Sequence, residues 1–251
     1  MFRLIISFLT LITVLSCNKF DKVMIIGHRG AMGHIAENTI PSINKAMELG
    51  VDGIEIDVFK CKSGELVVFH DERLERLTNS SGFIESLELD SIKNIIVLDK
   101  YRIPTLEEVL QLIDGQVKLN IELKGYGTAS QTNHLINQYN NKGGWTEDKF
   151  IISSFKWDEL EKIRELNMTI PIAVLVNSNV NPIDALPFAK KIKAIAINPD
   201  FEDLNQKNIE KIQSTGLKVF PYTINELDDI ERMIKLGVDA IITDYPERVN
   251  K

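Results

Sequence analysis

A chain of 251 residues, 44% apolar and 26% charged, has enough hydrophobic material for one large globular domain. Its formal net charge of −7 argues against nucleic acid as the main partner. Two cysteines, one of them at the end of the amino-terminal apolar run, are too few for a disulfide framework.

The leader comes first. Arg3 precedes a largely apolar run over residues 4–15, which is short for a membrane span and right for a signal-peptide core. The sequence Val14-Leu15-Ser16-Cys17 resembles the lipobox of bacterial lipoproteins. That implies removal of residues 1–16, lipidation of Cys17, and a place in the bacterial cell envelope on the periplasmic or outer-surface side. Membrane contact is then expected through the lipid anchor only. An uncleaved anchor and a conventional signal peptide are the alternatives. Residues 17–22 read as a tether and residues 23–251 as one folded domain.

The domain opens with an apolar strand over 23–26 that ends in Gly27-His28-Arg29-Gly30. Asn38 or Thr39 caps a helix over 41–49, which Gly50 closes. A second strand over 53–57 carries Glu55 and Asp57 two apart, so both side chains leave one face. The turn-like Lys62-Ser63-Gly64-Glu65 returns the chain over 66–69, and so short a link requires an antiparallel hairpin. The hairpin should bring His70 and Asp71 back beside Glu55 and Asp57. Residues 72–103 form a small, irregular insertion. Thr105 and Glu108 then make a capping box for the next helix.

From there short apolar strands at 119–123, 150–153, 172–176, 194–197, 219–222 and 240–243 alternate with helical patterns, such as 158–166, 205–214 and 226–236. Continuous apolar runs suit strands buried on both faces. Apart from the hairpin return there are eight, and the expected fold is a closed (β/α)8 barrel. A doubly wound open sheet is the alternative. In a barrel, function gathers at the carboxyl ends of the strands. The polar residues lie there: His28 and Arg29, Glu55 and Asp57, Glu122 and Lys124, Ser153 and Ser154, Asn198, Tyr222, Thr223 and Asn225, and Asp244.

Glu55, Asp57 and Glu122 offer three oxygen ligands, suited to one hard divalent cation, Ca2+ or Mg2+, rather than zinc. Arg29 and Lys124 add positive charge beside them and point to an anionic small-molecule substrate such as a phosphate. His28 and His70 are placed to act as general acid and base. His34 and His134 gain no such support, and His134 reads as an exposed helix residue. Nothing in the sequence specifies an oligomeric state.

Seven segments carry a family resemblance in order and spacing: His28-Arg29-Gly30, Glu37-Asn38-Thr39, Glu55-Ile56-Asp57-Val58, Val68-Phe69-His70-Asp71, Ile103-Pro104-Thr105-Leu106, Asn120-Ile121-Glu122-Leu123-Lys124 and Ile242-Thr243-Asp244-Tyr245-Pro246. Together they resemble the motif series of the glycerophosphodiester phosphodiesterase family. The resemblance implies a TIM-type barrel with a small insertion after strand two, and metal-dependent hydrolysis of glycerophosphodiesters to sn-glycerol 3-phosphate and an alcohol. It implies His28 and His70 as acid and base, Glu55, Asp57 and Glu122 as metal ligands, and Arg29 and Lys124 as phosphate binders. Tyr222, where the family usually has tryptophan, and Asn225 fall in the strand-seven substrate-contact motif. Ala36 stands where the family usually has proline. A related phosphodiesterase acting on a lysophospholipid, sphingolipid or phosphoinositide is the second reading, and a non-catalytic envelope binding lipoprotein the third.

Overall fold

A computed structural model describes residues 23–249. The expected signal peptide, Cys17 and the tether lie outside the described residues. The first strand, β1 (Met24–Gly27), leads through a loop over 28–39 to α1 (Ile40–Glu48). Thr39 caps α1 by accepting from the Ser42 amide, and Gly50 leaves the helix with φ +76. Next come β2 (Gly53–Lys60) and its antiparallel partner β3 (Leu66–Val68), paired as Val58 with Val68. The hairpin is therefore present. The insertion contains α2 (Leu89–Ile92) and the short ribbon of β4 (Ile96–Val97) and β5 (Tyr101–Arg102). It closes over an apolar cluster of its own, including Phe59, Phe69, Leu74, Ile84, Ile92 and Ile103.

Regular alternation follows: α3 (Leu106–Ile113), β6 (Lys118–Leu123), α4 (Thr128–Tyr139), β7 (Phe150–Ser154), α5 (Trp157–Leu166), β8 (Ile172–Leu175), α6 (Leu186–Lys191), β9 (Ala196–Asn198), α7 (Gln206–Gln213), β10 (Lys218–Val219), α8 (Leu227–Leu236) and β11 (Ala240–Thr243). The Thr105–Glu108 capping box forms at α3 as expected. Parallel ladders run in the order β10, β9, β8, β7, β6, β2, β1, β11. The result is a nearly closed barrel of eight parallel strands.

The last seam is looser, because β10 is short. The strand expected over 219–222 ends at Val219, since Pro221 has no N–H to continue a ladder. Closure is completed by single bonds: Asp239 N–H donates to the Val219 carbonyl at 3.0 Å, and Ile242 N–H to that of Pro221 at 3.2 Å. The Asp239 carboxylate accepts from Val219 N–H at 2.9 Å.

Alternation of side chains divides the hydrophobic material of the barrel in two. Ile54, Ile56 and Val58 of β2 join the large core between strands and helices. Ile26, Ile151, Ala173, Ala196, Phe220 and Ile242 fill the barrel interior. Glu55 and Asp57 alternate with the core residues of β2 and so face inward as well. Opposite them in register stand Asn120 and Glu122, and opposite Glu122 stands Ser153.

Candidate active site

The turn after β1 sets the first wall. Arg29 (φ 49) and Gly30 (φ 86) both take the left-handed conformation. A Cβ at Gly30 would meet the Ser42 hydroxyl at 2.4 Å, so only glycine fits beneath α1. This turn aims the Arg29 amide at Glu55, donating to Oε2 at 2.9 Å, and lays its guanidinium against Glu37 at 2.7 Å and Asp57 at 3.4 Å. Asn38 holds Asp57 from the same loop, its amide donating to Oδ2 at 2.8 Å.

Glu55, Asp57 and Glu122 each present an oxygen, all within 4.8 Å of one another. Burial, and then the Asp57 and Glu122 charges, raise the Glu55 carboxyl well above the usual range. Burial and Asp57 push Glu122 up to about 7, although Lys124 opposes them. Glu55 Oε1 is buried with no hydrogen-bond partner. Three inward carboxylates that repel one another, one with an unpaired oxygen, fit a hard divalent cation. Lys124 touches the trio at Glu122, 3.0 Å away. Burial would lower its pKa, but Glu122 and Asp57 outweigh that and keep it charged.

Each expected catalytic histidine has a carboxylate behind it. His28 Nδ1 lies 2.6 Å from Asp244 Oδ1, and its Nε2 is 4.0 Å from Glu55. His70 Nδ1 lies 2.7 Å from Asp71 Oδ1, and its Nε2 is 3.2 Å from Lys124 Nζ. Both contacts of His70 are met by a neutral ring with its proton on Nδ1, accepting from Lys124. Burial, with Arg29 and Lys124 adding to it and Asp57 opposing, lowers its pKa in the same direction. Asp244 is held low, since bonds from His28 and Asn225 outweigh its burial.

Arg76, from the insertion, ties these pieces together. It donates to both oxygens of Glu37, at 3.0 and 2.8 Å, and to both oxygens of Asp71. The residue behind His70 and the residue behind Arg29 thus share one guanidinium.

Most expected site residues meet in one cavity of about 220 Å3. His28, Arg29, Glu55, His70, Glu122 and Lys124 form its polar wall, and Phe155, Leu175, Tyr222 and Ile242 an apolar one. Asp57 lies just behind, 1% exposed. The Tyr222 hydroxyl is turned away to the Val176 carbonyl at 2.6 Å, so its ring is what lines the space. Asn225, expected at the substrate, instead spends its amide on Asp244, donating to Oδ2 at 2.7 Å and accepting from the residue 244 amide at 2.9 Å. His34 pairs with Glu247 at 3.1 Å outside the cavity, and His134 is exposed on α4. The partner roles of Asp244, Asp71 and Arg76 are not assigned from sequence. Only adjacency to His70 signals Asp71, and nothing local signals Arg76.

A family model, the glycerophosphoryl diester phosphodiesterase family, matches residues 28–248. A glycerophosphodiester phosphodiesterase of Caldanaerobacter subterraneus subsp. tengcongensis is 37% identical over 239 residues, covering 90% of this chain and 96% of that protein. One from Bacillus subtilis is 32% identical, covering 92% of this chain and 86% of that protein. Among solved structures, an Oleispira antarctica phosphodiesterase in complex with the product sn-glycerol-3-phosphate superposes with a TM-score of 0.82 at 26% identity, over 90% of this chain and 95% of that one.

Proposed function

The chain belongs to the glycerophosphoryl diester phosphodiesterase family, and on that premise we propose that it hydrolyses glycerophosphodiesters to sn-glycerol 3-phosphate and an alcohol with one divalent cation, Ca2+ or Mg2+. The observation that carries this reading is the pairing of two carboxylate-backed histidines with the Glu55, Asp57 and Glu122 trio. Those three residues would hold the cation. When bound, it would supply positive charge to balance the negative charge building on the phosphoryl oxygens. Arg29 and Lys124 bind the same anionic group from the protein side. His28 and His70 move the protons, one taken from the attacking oxygen and one given to the departing alcohol. Asp244 and Asp71 fix the Nδ1 protons, which leaves Nε2 of His28 for that exchange, and Nε2 of His70 once the substrate phosphate draws Lys124 away from it.

The deciding experiment assays release of choline, ethanolamine, inositol and glycerol from their glycerophosphodiesters, with and without chelator. Hydrolysis that stops in chelator and returns with Ca2+ or Mg2+ is expected. Full activity in excess chelator would overturn the cation assignment.

The reading extends to location. Ser16-Cys17 after a short apolar run supports an envelope lipoprotein anchored at Cys17, and residues 17–22 tether the barrel to the membrane surface. More than one acyl chain is needed for stable anchoring. Cys17→Ser should release the protein from the detergent phase. Unchanged partitioning would reject the anchor.

A further inference from the structure

Asn120 and Ser153 have no part in the chemistry above, yet both line the 220 Å3 cavity. They are 3% and 0% exposed, and the Asn120 amide oxygen and the Ser153 hydroxyl have no hydrogen-bond partner. Leaving such a group unpaired in a protein interior is costly, so a buried pair of them calls for a ligand that supplies the missing bonds. Their position is fixed by rigid elements. Asn120 faces Glu55 across β2 and β6, and Ser153 faces Glu122 across β6 and β7. Both therefore sit beside the carboxylate trio on the inner side of the barrel mouth.

The space around them is divided. A second, more open groove of about 500 Å3 runs outward past Arg73, Arg76 and Lys156. The two spaces share His70, Glu122, Lys124 and Phe155. A phosphodiester whose phosphate sits at that shared waist, against Lys124, has one ester arm in each space. The inner space is below the roughly 300–1,000 Å3 of sites for drug-sized ligands, so it suits a small polar arm.

We propose that Asn120 and Ser153 are specificity-determining residues that hold the free hydroxyls of the glycerol arm, leaving the outer groove for the alcohol. The inference rests on the function proposed above and adds which end of the substrate is read and by what. A hydroxyl can donate to the Asn120 oxygen, and a second can donate to or accept from Ser153. An arm with neither hydroxyl would leave both protein groups buried and unpaired, and a site of that kind rejects it strongly.

The test compares two phosphate monoesters as competitive inhibitors and by calorimetry: sn-glycerol 3-phosphate, and propyl phosphate, which has the same carbon count and no hydroxyl. Wild type should bind the glycerol compound at least about 10-fold tighter, the scale of one buried hydrogen bond. Ser153→Ala and Asn120→Ala should each shrink that preference to within a few fold. The ratio of the two constants is independent of the fraction of protein folded, and Ser153→Cys, which keeps the volume, serves as a second variant should Ser153→Ala fold poorly. Equal binding of both compounds by wild type, or a preference unchanged in the variants, overturns the assignment while glycerophosphodiester hydrolysis stands. A wild-type protein that hydrolyses no glycerophosphodiester overturns both.

Discussion

Behind each of the two histidines stands a carboxylate. Asp244 and Asp71 accept hydrogen bonds from the Nδ1–H groups of His28 and His70, so both rings present Nε2 to the site in a fixed orientation. His28→Ala and His70→Ala should each lower kcat roughly 10²–10⁴-fold, the range for loss of one general acid or base, with cation binding largely kept. A substrate with a p-nitrophenolate leaving group needs no proton on departure. It should restore rate to the variant that has lost the general acid and not to the other, and equal rescue of both would refute a division of labour. His34→Ala, outside the cavity, should stay within a few fold of wild type. The two histidines, the carboxylate trio and the two cations were legible because strand periodicity puts them on one rim. Asp244 was visible as a rim residue, but its pairing with His28 spans 216 positions, and only the closure of the barrel brings them together. The engagement of Asn225 with Asp244 is hidden in the sequence for the same reason. A polar residue near a strand end can face the substrate or support a neighbour, and the spacing is identical.

At the scale of elements, the insertion acts as a brace as well as a wall. Arg76 joins Glu37, from the loop before α1, to Asp71, at the end of the hairpin. Arg76→Ala should let both Asp71 and Glu37 drift. A fall in kcat of about 10–100-fold is expected, the scale for partners that orient a functional ligand. Arg76→Lys should recover little of it, since one ammonium cannot grip two carboxylates bidentately. Activity of Arg76→Ala equal to wild type would show that the brace is dispensable. Thr105 makes the contrasting case. Its capping box on α3 lines neither the cavity nor the outer groove, so Thr105→Ala should cost about 1 kcal/mol of stability and leave kcat unchanged. A thermal melt beside a rate measurement separates the two. The caps of α1 and α3 could be read from Thr39 and from Thr105 with Glu108, because capping is local chemistry. The length of β10 could not be read from hydropathy alone, because Val219, Phe220 and Tyr222 look like a strand while Pro221 denies it a ladder. The insertion lacked any period, and its order comes from ten buried residues that are scattered over positions 59–103.

For the molecule as a whole, a cation held by the carboxylate trio, as proposed, would couple stability to pH. In the ion-free protein Glu55 and Glu122 hold protons more tightly than they would unfolded. Between the ordinary glutamate value, near ~4.3, and about 7 for Glu122, the folded state binds more protons than the unfolded one. These two groups therefore make stability fall as pH rises through that window. His70 acts in the opposite sense, because its lowered pKa lets the unfolded chain take the proton more readily near ~6.5. Glu37, Asp71 and Asp244 are held low, and their contribution changes below that window. The clean measurement is thus the difference in Tm between loaded and chelated protein at each pH. A cation held there would compete with protons for the same oxygens, so the gain should be small at pH 5 and grow toward pH 7.5. Free ion at about 100 times Kd contributes ~2.7 kcal/mol, which for a chain of this size is roughly 5–10 °C. Glu122→Gln sharpens the prediction, because it removes one repelling charge and keeps the shape. At pH 7.5 the ion-free variant should melt above ion-free wild type, and its gain on adding Ca2+ or Mg2+ should largely vanish. A variant that gains as much with the ion as wild type would mean that the trio is not where the cation binds, and one no more stable without the ion would mean that repulsion within the trio does not limit stability.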